Sequence, residues 1–193
     1  MAVELTDLIA LSHSQAAADS YRAYIPTEAH LGVLAETGKD VLVHFPPMPA
    51  ACAMMSALYA ARMQMQSDAP VFVVAGVLSI GSTCVFGNDA DTRDWRSAFN
   101  ESNPSWDGHC WVMLGDYIAD ISIFRTAYSQ HSPPLLAEHV AKHFGTGRGL
   151  LICKTAESSG LGFLYQPQCV LTEGQITGLM NGARSLFEQS SRR

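Results

Sequence analysis

Long apolar runs are missing from this chain. No stretch reaches the ~20 consecutive apolar residues that a membrane-spanning helix needs, and residues 1–10 carry two acids and no basic segment. Neither signal peptide nor membrane anchor is therefore expected, and the expected compartment is cytoplasmic. Cysteine is present only as an odd set (Cys52, Cys84, Cys110, Cys153 and Cys169) with no CxxC spacing, which argues against a disulfide framework and a zinc knuckle. Free thiols are the expectation. Clustered positive charge is also absent. The net charge is −6 and Lys and Arg are scattered singly up to Arg192-Arg193, so no basic stripe is available to phosphates and nucleic acid is not expected as a partner. Gly145-Thr146-Gly147-Arg148-Gly149 lacks the GxxxxGK[ST] pattern and precedes a strand instead of following one, so it reads as a turn. There is no internal repeat.

What is present is a hydrophobic fraction of 48% over 193 residues, enough for one substantial core. A single domain over 1–193 is expected. The most informative stretch is 106–122, where two apolar, β-prone runs meet at Gly115-Asp116. Gly at the first central position suits a type II′ turn, with Leu114 and Tyr117 closing a hairpin. Counting outward puts Trp111 opposite Asp120 and His109 opposite Ser122. His109, Trp111, Ile118, Asp120 and Ser122 then share one face, and His109 and Asp120 become diagonal neighbours. An imidazole oriented by a carboxylate on a sheet is suited to act as a general base. Asp116 reads as the turn residue, and Cys110 points away from His109.

Such a pair needs a nucleophile. The strongest helix in the sequence runs from Pro49 to Met65, with Pro49 at its first position and Cys52 in its first turn. Met48 before it cannot cap, which leaves the first amides free to meet a negative charge. A thiol there has its thiolate favoured by the helix dipole and by a neighbouring imidazolium. The other four cysteines read as small hydrophobes.

The remaining chain supplies cover and sheet. Val3 to Tyr24 reads as a helix; Thr27 to Lys39 reads as a second, capped by Thr27 and stopped at Gly38. Val41 to Phe45 reads as a short β-run cut by Pro46-Pro47. Ala69 to Ile80 reads as a strand buried on both faces beside the hairpin. Gly81 to Trp106 is polar, with one weakly helical piece near Asp91 to Phe99, and reads as an insertion covering a site. A short helix precedes Gly145, Gly149 to Lys154 returns to strand with Gly160 to Leu171 as its antiparallel partner, and Thr172 to Gln189 is an amphipathic helix. The expected class is α+β.

A Cys opening a helix with Ser56 one turn later, a buried strand, then His109-x-Trp111-Val112 in one strand and Asp120-Ile-Ser in the next resembles the transglutaminase-like branch of the papain-like superfamily. That branch includes transglutaminase-like cysteine peptidases, lasso-peptide peptidases and arylamine N-acetyltransferases. The resemblance covers roughly 49–122. It implies a papain-like core, with a catalytic helix packed on an antiparallel sheet and extra helices at both ends, and a Cys52-His109-Asp120 triad. The long separation of Cys52 from His109 fits the 81–106 insertion. No Arg-Gly-Gly-x-Cys stretch precedes Cys52, which sets the chain apart from the acetyltransferases proper.

Together these readings predict a thiol-dependent hydrolase, a cysteine peptidase or amidase working through a thioester, on a peptide, protein or small amide or acyl substrate and without a cofactor. The Cys52 amide would bind the oxyanion. His44 is the second candidate donor, with Trp111 a substrate-side candidate. The alternatives are an acyltransferase with an amine acceptor and a catalytically silent binding module of the same fold. A metal site at His139 and His143, with Glu138 and His131 nearby, is the remaining class; their i, i+4 spacing reads better as one face of an amphipathic helix, and no metal is expected. No oligomeric state follows from the sequence.

Overall fold

The computed structural model describes residues 3–87, 95–101 and 106–190. Within them an antiparallel sheet of six strands carries helices on both faces, an α+β architecture. Its backbone is the apolar run, β1 (Val71–Ile80), which pairs with three strands. One edge of β1 takes β3 (His109–Leu114) and then the short β2 (Thr83–Phe86), and the other takes β6 (Phe163–Val170). From β3 the sheet continues through β4 (Tyr117–Asp120) to β5 (Leu151–Lys154).

The β3–β4 hairpin has the register that Gly115-Asp116 implies, with Leu114 opposite Tyr117 and Val112 opposite Ala119. Gly115 alone of the two turn residues has a positive φ, 55°, as a type II′ turn requires of its first central residue. The Tyr21 hydroxyl donates to the Gly115 carbonyl and holds the turn.

Alternation along the strands splits the core in two. Val71, Val73, Ala75, Val77, Cys110, Val112 and Leu114 face α3 (Glu28–His44), α4 (Cys52–Gln66) and α8 (Glu173–Ser190). Phe72, Val74, Leu78, Trp111, Met113 and Ile118 face α1 (Leu5–Ser12), α2 (Gln15–Ala23), α5 (Ile123–Ala127) and α6 (Pro134–His143). A sheet covered on both faces explains why β1 is a continuous apolar run with no polar alternation.

Five expectations need correction. The N-terminal segment is two helices, α1 and α2, because the Ser14 side chain accepts from the Ala17 amide and starts a new helix. Thr27 caps α3 as expected, with His30 completing a capping box, but the helix does not stop at Gly38. It runs through 41–44, since Leu34, Gly38, Val41 and Phe45 fall at helical spacing on the core side, and burying that stripe outweighs the β preference of two valines. Pro49 is not the first residue of α4; Pro49 and Ala50 form a turn, Ala50 at φ 53°, and the helix begins at Cys52. Strand β6 pairs with β1, while β5 pairs with β4. Residues 81–106 are not purely a polar insertion. Gly81-Ser82 turn the chain into β2, and Trp95 and Phe99 of a 3-10 segment (Trp95–Asn100) are buried in the α4-side core. Residues 88–94 and 102–105, part of that expected insertion and its helical piece, lie outside the described residues.

Among the described residues no helix is long and apolar enough to cross a membrane.

Candidate active site

Three elements converge at one end of β3. Helix α4 packs over β3, and its residue Ser56 donates to the Cys110 carbonyl at 3.1 Å, which ties the N-terminal half of the helix to the start of the strand. Cys52 is the first residue of α4, one turn before Ser56. The residue before it is Ala51, which has no side-chain cap to offer, so the helix N-terminus is open towards the sulfur as anticipated, though with Ala51 in the place assigned to Met48. The approach to Cys52 carries strain. Ala50 sits in the left-handed region at φ 53°, which costs about 1–2 kcal/mol for a residue with a Cβ.

His109 opens β3 and is fully buried, with Phe86 of β2 stacked on its ring at 5.3 Å. Asp120 closes β4, also fully buried. The diagonal relation predicted by the hairpin register brings them together, and His109 Nε2 meets Asp120 Oδ2 at 2.6 Å. With Nε2 engaged, Nδ1 is the ring nitrogen left to face Cys52.

The Asp120 carboxylate is saturated with donors. Its Oδ1 accepts from the Ser122 amide at 3.0 Å, the Ser122 hydroxyl at 3.2 Å and the Ile123 amide at 3.0 Å. Its Oδ2 accepts from His109 and, at 2.9 Å, from the Tyr165 hydroxyl on β6. Burial alone would raise this carboxyl's pKa. The His109 charge and hydrogen bond, with the Ser122 amide and Tyr165, outweigh burial and hold it below the ordinary carboxylate value.

His109 behaves in the complementary way. Burial works against its charge, but Asp120 and then the Cys52 sulfur more than offset that, and the imidazole is pushed up to about 10. Cys52 moves downward, well below the ordinary thiol range. The hydrogen bond from the Cys110 thiol is the largest cause, acting against burial, followed by the hydrogen bond and charge of His109 and the Cys110 amide. Both shifts favour the charged thiolate–imidazolium pair over the neutral one.

The pair faces a cleft of about 660 Å³. Pro47, Met48, Pro49, Met55, Phe86 and Trp106 give it largely apolar walls, while Asp107, Ser122, Arg125, Gln130 and His131 supply polar groups.

No protein-family model, curated protein or solved structure matches this chain.

Two further expected site residues lie elsewhere. His44 ends α3 as an exposed residue, its Nδ1 against the Asp40 carbonyl at 2.8 Å and carboxylate at 3.0 Å, and it does not line the cleft. Trp111 is fully buried behind His109, with ring centroids 6.4 Å apart and near-parallel, and meets Tyr165 edge-on at 5.0 Å. It supports the imidazole and the cleft does not reach it. Asp116 is the turn residue, its carbonyl taking the Thr155 amide at 2.8 Å. On α6, the His139 ring contacts the Leu161 carbonyl at 2.9 Å and packs on Phe163, and among the described residues no three His, Cys, Asp or Glu side chains come together as a metal site would require.

Two residues at the site escaped sequence reasoning. Tyr165 reaches Asp120 from a strand 45 positions away, and only the pairing of β6 with β1 brings it there. Arg125, the third residue of α5, donates to the carbonyls of Leu42 and Phe45 at 2.8 Å each. It closes the open C-terminal end of α3 and fastens the segment leading to Cys52 onto the helix that follows Asp120. A lone Arg between Phe124 and Thr126 carries no local signal of that role.

Proposed function

We propose that the protein is a thiol-dependent acyl hydrolase, a cysteine peptidase or amidase on a transglutaminase-like variant of the papain-like core. The observation that carries the reading is that Cys52, at an uncapped helix N-terminus, and His109 line one cleft, with His109 bound to an Asp120 that is saturated with donors. A purely structural histidine does not need a buried carboxylate on one nitrogen and a cleft-lining thiol on the other.

In the first step the Cys52 thiolate attacks the carbonyl carbon of an amide or ester, and negative charge moves to the carbonyl oxygen. The free amides at the start of α4, the Cys52 amide foremost, meet that charge together with the positive end of the helix dipole. The His109 imidazolium then gives its proton to the departing amine or alcohol as the tetrahedral species collapses to a thioester. In the second step neutral His109 takes a proton from water, the hydroxide attacks the thioester, and Cys52 leaves as thiolate. Throughout, Asp120 holds the ring orientation and stabilises the positive charge. An amine in place of that water would make the enzyme an acyltransferase. The apolar walls favour a substrate with an uncharged acyl portion.

Competition among the cysteines for iodoacetamide at about pH 6, below the ordinary thiol pKa of about 8.5, tests the reading. Cys52 is expected to alkylate first and His109→Gln to lose that preference. Equal labelling of all five, or preference for exposed Cys84, would remove the nucleophile.

A further inference from the structure

Cys110 is a buried thiol that the proposed reaction does not require. Cys52 packs against the apolar cluster that contains Cys110, where α4 lies over β3, and the two thiols are near enough to shift each other's ionisation in opposite directions. Ser56 holds the Cys110 carbonyl at 3.1 Å from one helical turn beyond Cys52, so the helix and strand that carry the two thiols are locked together. We propose that Cys110 is a resolving thiol, closing a Cys52–Cys110 disulfide when a hydroperoxide in the cleft oxidises Cys52, so that the nucleophile is stored in a recoverable form. The inference rests on the reading of Cys52 as an accessible, ionised nucleophile.

The chemistry balances without any further group. The Cys52 thiolate attacks the terminal oxygen of the hydroperoxide and the O–O bond breaks, giving Cys52 sulfenic acid and an alkoxide or hydroxide that takes the proton of the His109 imidazolium. The Cys110 sulfur then attacks the Cys52 sulfur. The S–O bond breaks, the Cys110 proton goes with the departing hydroxyl as water, and the disulfide remains. Two thiols have lost two electrons and one peroxide has gained them.

The other cysteines are poor competitors. Cys110 is on the strand that Ser56 ties to the helix carrying Cys52, whereas Cys169 lies on the far side of β1; both stand opposite Ala75, so they are two strand spacings apart and cannot pair with each other. Two spacings of about 4.8 Å exceed the ~7 Å beyond which two Cα atoms cannot be bridged without backbone movement. Cys153 belongs to the core on the opposite face of the sheet. Cys84 is exposed, its thiol turned to the carbonyls of Phe86 and Gly87 at 3.4 and 3.0 Å. The arrangement also separates the roles. Burial keeps the Cys110 thiol protonated, and the Cys52 sulfur is the ionised one on the cleft, so peroxide meets Cys52 first.

The experiment treats the intact protein with hydrogen peroxide near neutral pH, maps peptides without reduction, and then reads iodoacetamide labelling of Cys52 before and after dithiothreitol. The expected result is a linked Cys52–Cys110 peptide pair, with Cys52 labelling lost on oxidation and restored by dithiothreitol. In Cys110→Ser, which keeps a hydroxyl donor for the Cys52 sulfur, Cys52 should advance to sulfinic acid and labelling should not return; circular dichroism checks that the variant is folded. Wild-type protein whose Cys52 is found as sulfinic acid, or whose Cys110 is found unlinked or joined to Cys169, would overturn the inference, and that outcome needs no variant. Labelling of the unoxidised protein separates the two claims. Selective labelling of Cys52 without a disulfide sinks this inference alone, whereas unselective labelling sinks the nucleophile beneath both.

Discussion

Replacing Asp120 by Asn keeps the size of the side chain and removes its charge, and the five hydrogen bonds at this carboxylate determine how the amide must sit. Oδ1 accepts two main-chain N–H groups, from Ser122 and Ile123, which cannot turn away. The amide oxygen therefore takes that side, and its NH2 takes the place of Oδ2, facing His109 Nε2 and the Tyr165 hydroxyl. Both of those partners can adapt. The tyrosine hydroxyl rotates, and the imidazole gives up its Nε2 proton and keeps the one on Nδ1, the nitrogen facing Cys52. A neutral ring protonated on that side lacks the positive charge that stabilises the thiolate and cannot accept the thiol proton. Loss of an orienting carboxylate in this manner costs about 10⁴-fold in turnover in a serine protease triad, which corresponds to about 5–6 kcal/mol of barrier at about 1.4 kcal/mol per tenfold. A similar loss is expected here for thioester formation. Because each hydrogen bond is replaced by another, the fold should lose only about 1–3 kcal/mol. The assay compares wild type, Asp120→Asn, Asp116→Asn and Asp107→Asn by iodoacetamide alkylation of Cys52 at about pH 6, alongside thermal melting. Asp120→Asn should slow alkylation more than tenfold, leaving the other two near wild type. If Asp116→Asn or Asp107→Asn were the more damaging change, the hairpin register and the His109–Asp120 contact built on it would be refuted.

Three other outcomes follow. Alkylation of Cys52 should hold a plateau from mildly acidic pH upward, because its lowered pKa means that the thiolate is lost only as pH falls through that value; thioester formation should decline again above about 10, where His109 loses the proton it gives to the leaving group. Alkylation falling in step with thioester formation at high pH would contradict that division of roles. Tyr165→Phe removes one of two donors to Asp120 Oδ2, and the expected cost is about 0.5–1.5 kcal/mol of stability with a several-fold slower acylation, read by melting and by single-turnover kinetics; a loss equal to that of Asp120→Asn would mean that Tyr165 acts on the substrate itself. Arg125→Lys loses the fork that joins Leu42 and Phe45 to α5, so the melting temperature should fall by several degrees, at about 2–4 °C per kcal/mol for a chain of this size, and an unchanged melting temperature would show that α3 and α5 do not depend on it.

Much of the site was legible because it is local. A two-residue Gly-Asp turn between β-prone runs sets the register of 109–120 by counting, and His109 and Asp120 follow from parity alone. The position of Cys52 at a helix start on the cleft was legible because Pro49 and the small, helix-favouring residues after it mark where that helix begins, give or take a turn. The parts that were not legible depend on distant packing. Val41 to Phe45 looks β-prone until the core stripe through Leu34 and Gly38 is known to continue into it. Strand β6 had two free edges to choose from, and nothing within 160–171 prefers β1 to β5, so Tyr165 could not be placed beside Asp120. Cys110 was correctly assigned to the face away from His109, but that same face receives α4, which is why its thiol meets Cys52.

As the proposed nucleophile, Cys52 forms a thioester in a reaction driven by His109. Incubating the protein with an activated acyl ester at neutral pH, quenching in acid and mapping peptides by mass spectrometry tests it most directly. The expected result is one acyl group on the peptide carrying Cys52, hydroxylamine-labile as a thioester is, and absent in Cys52→Ala and His109→Gln. Acyl groups spread over lysines and other cysteines, or an adduct of unchanged yield in His109→Gln, would contradict the account.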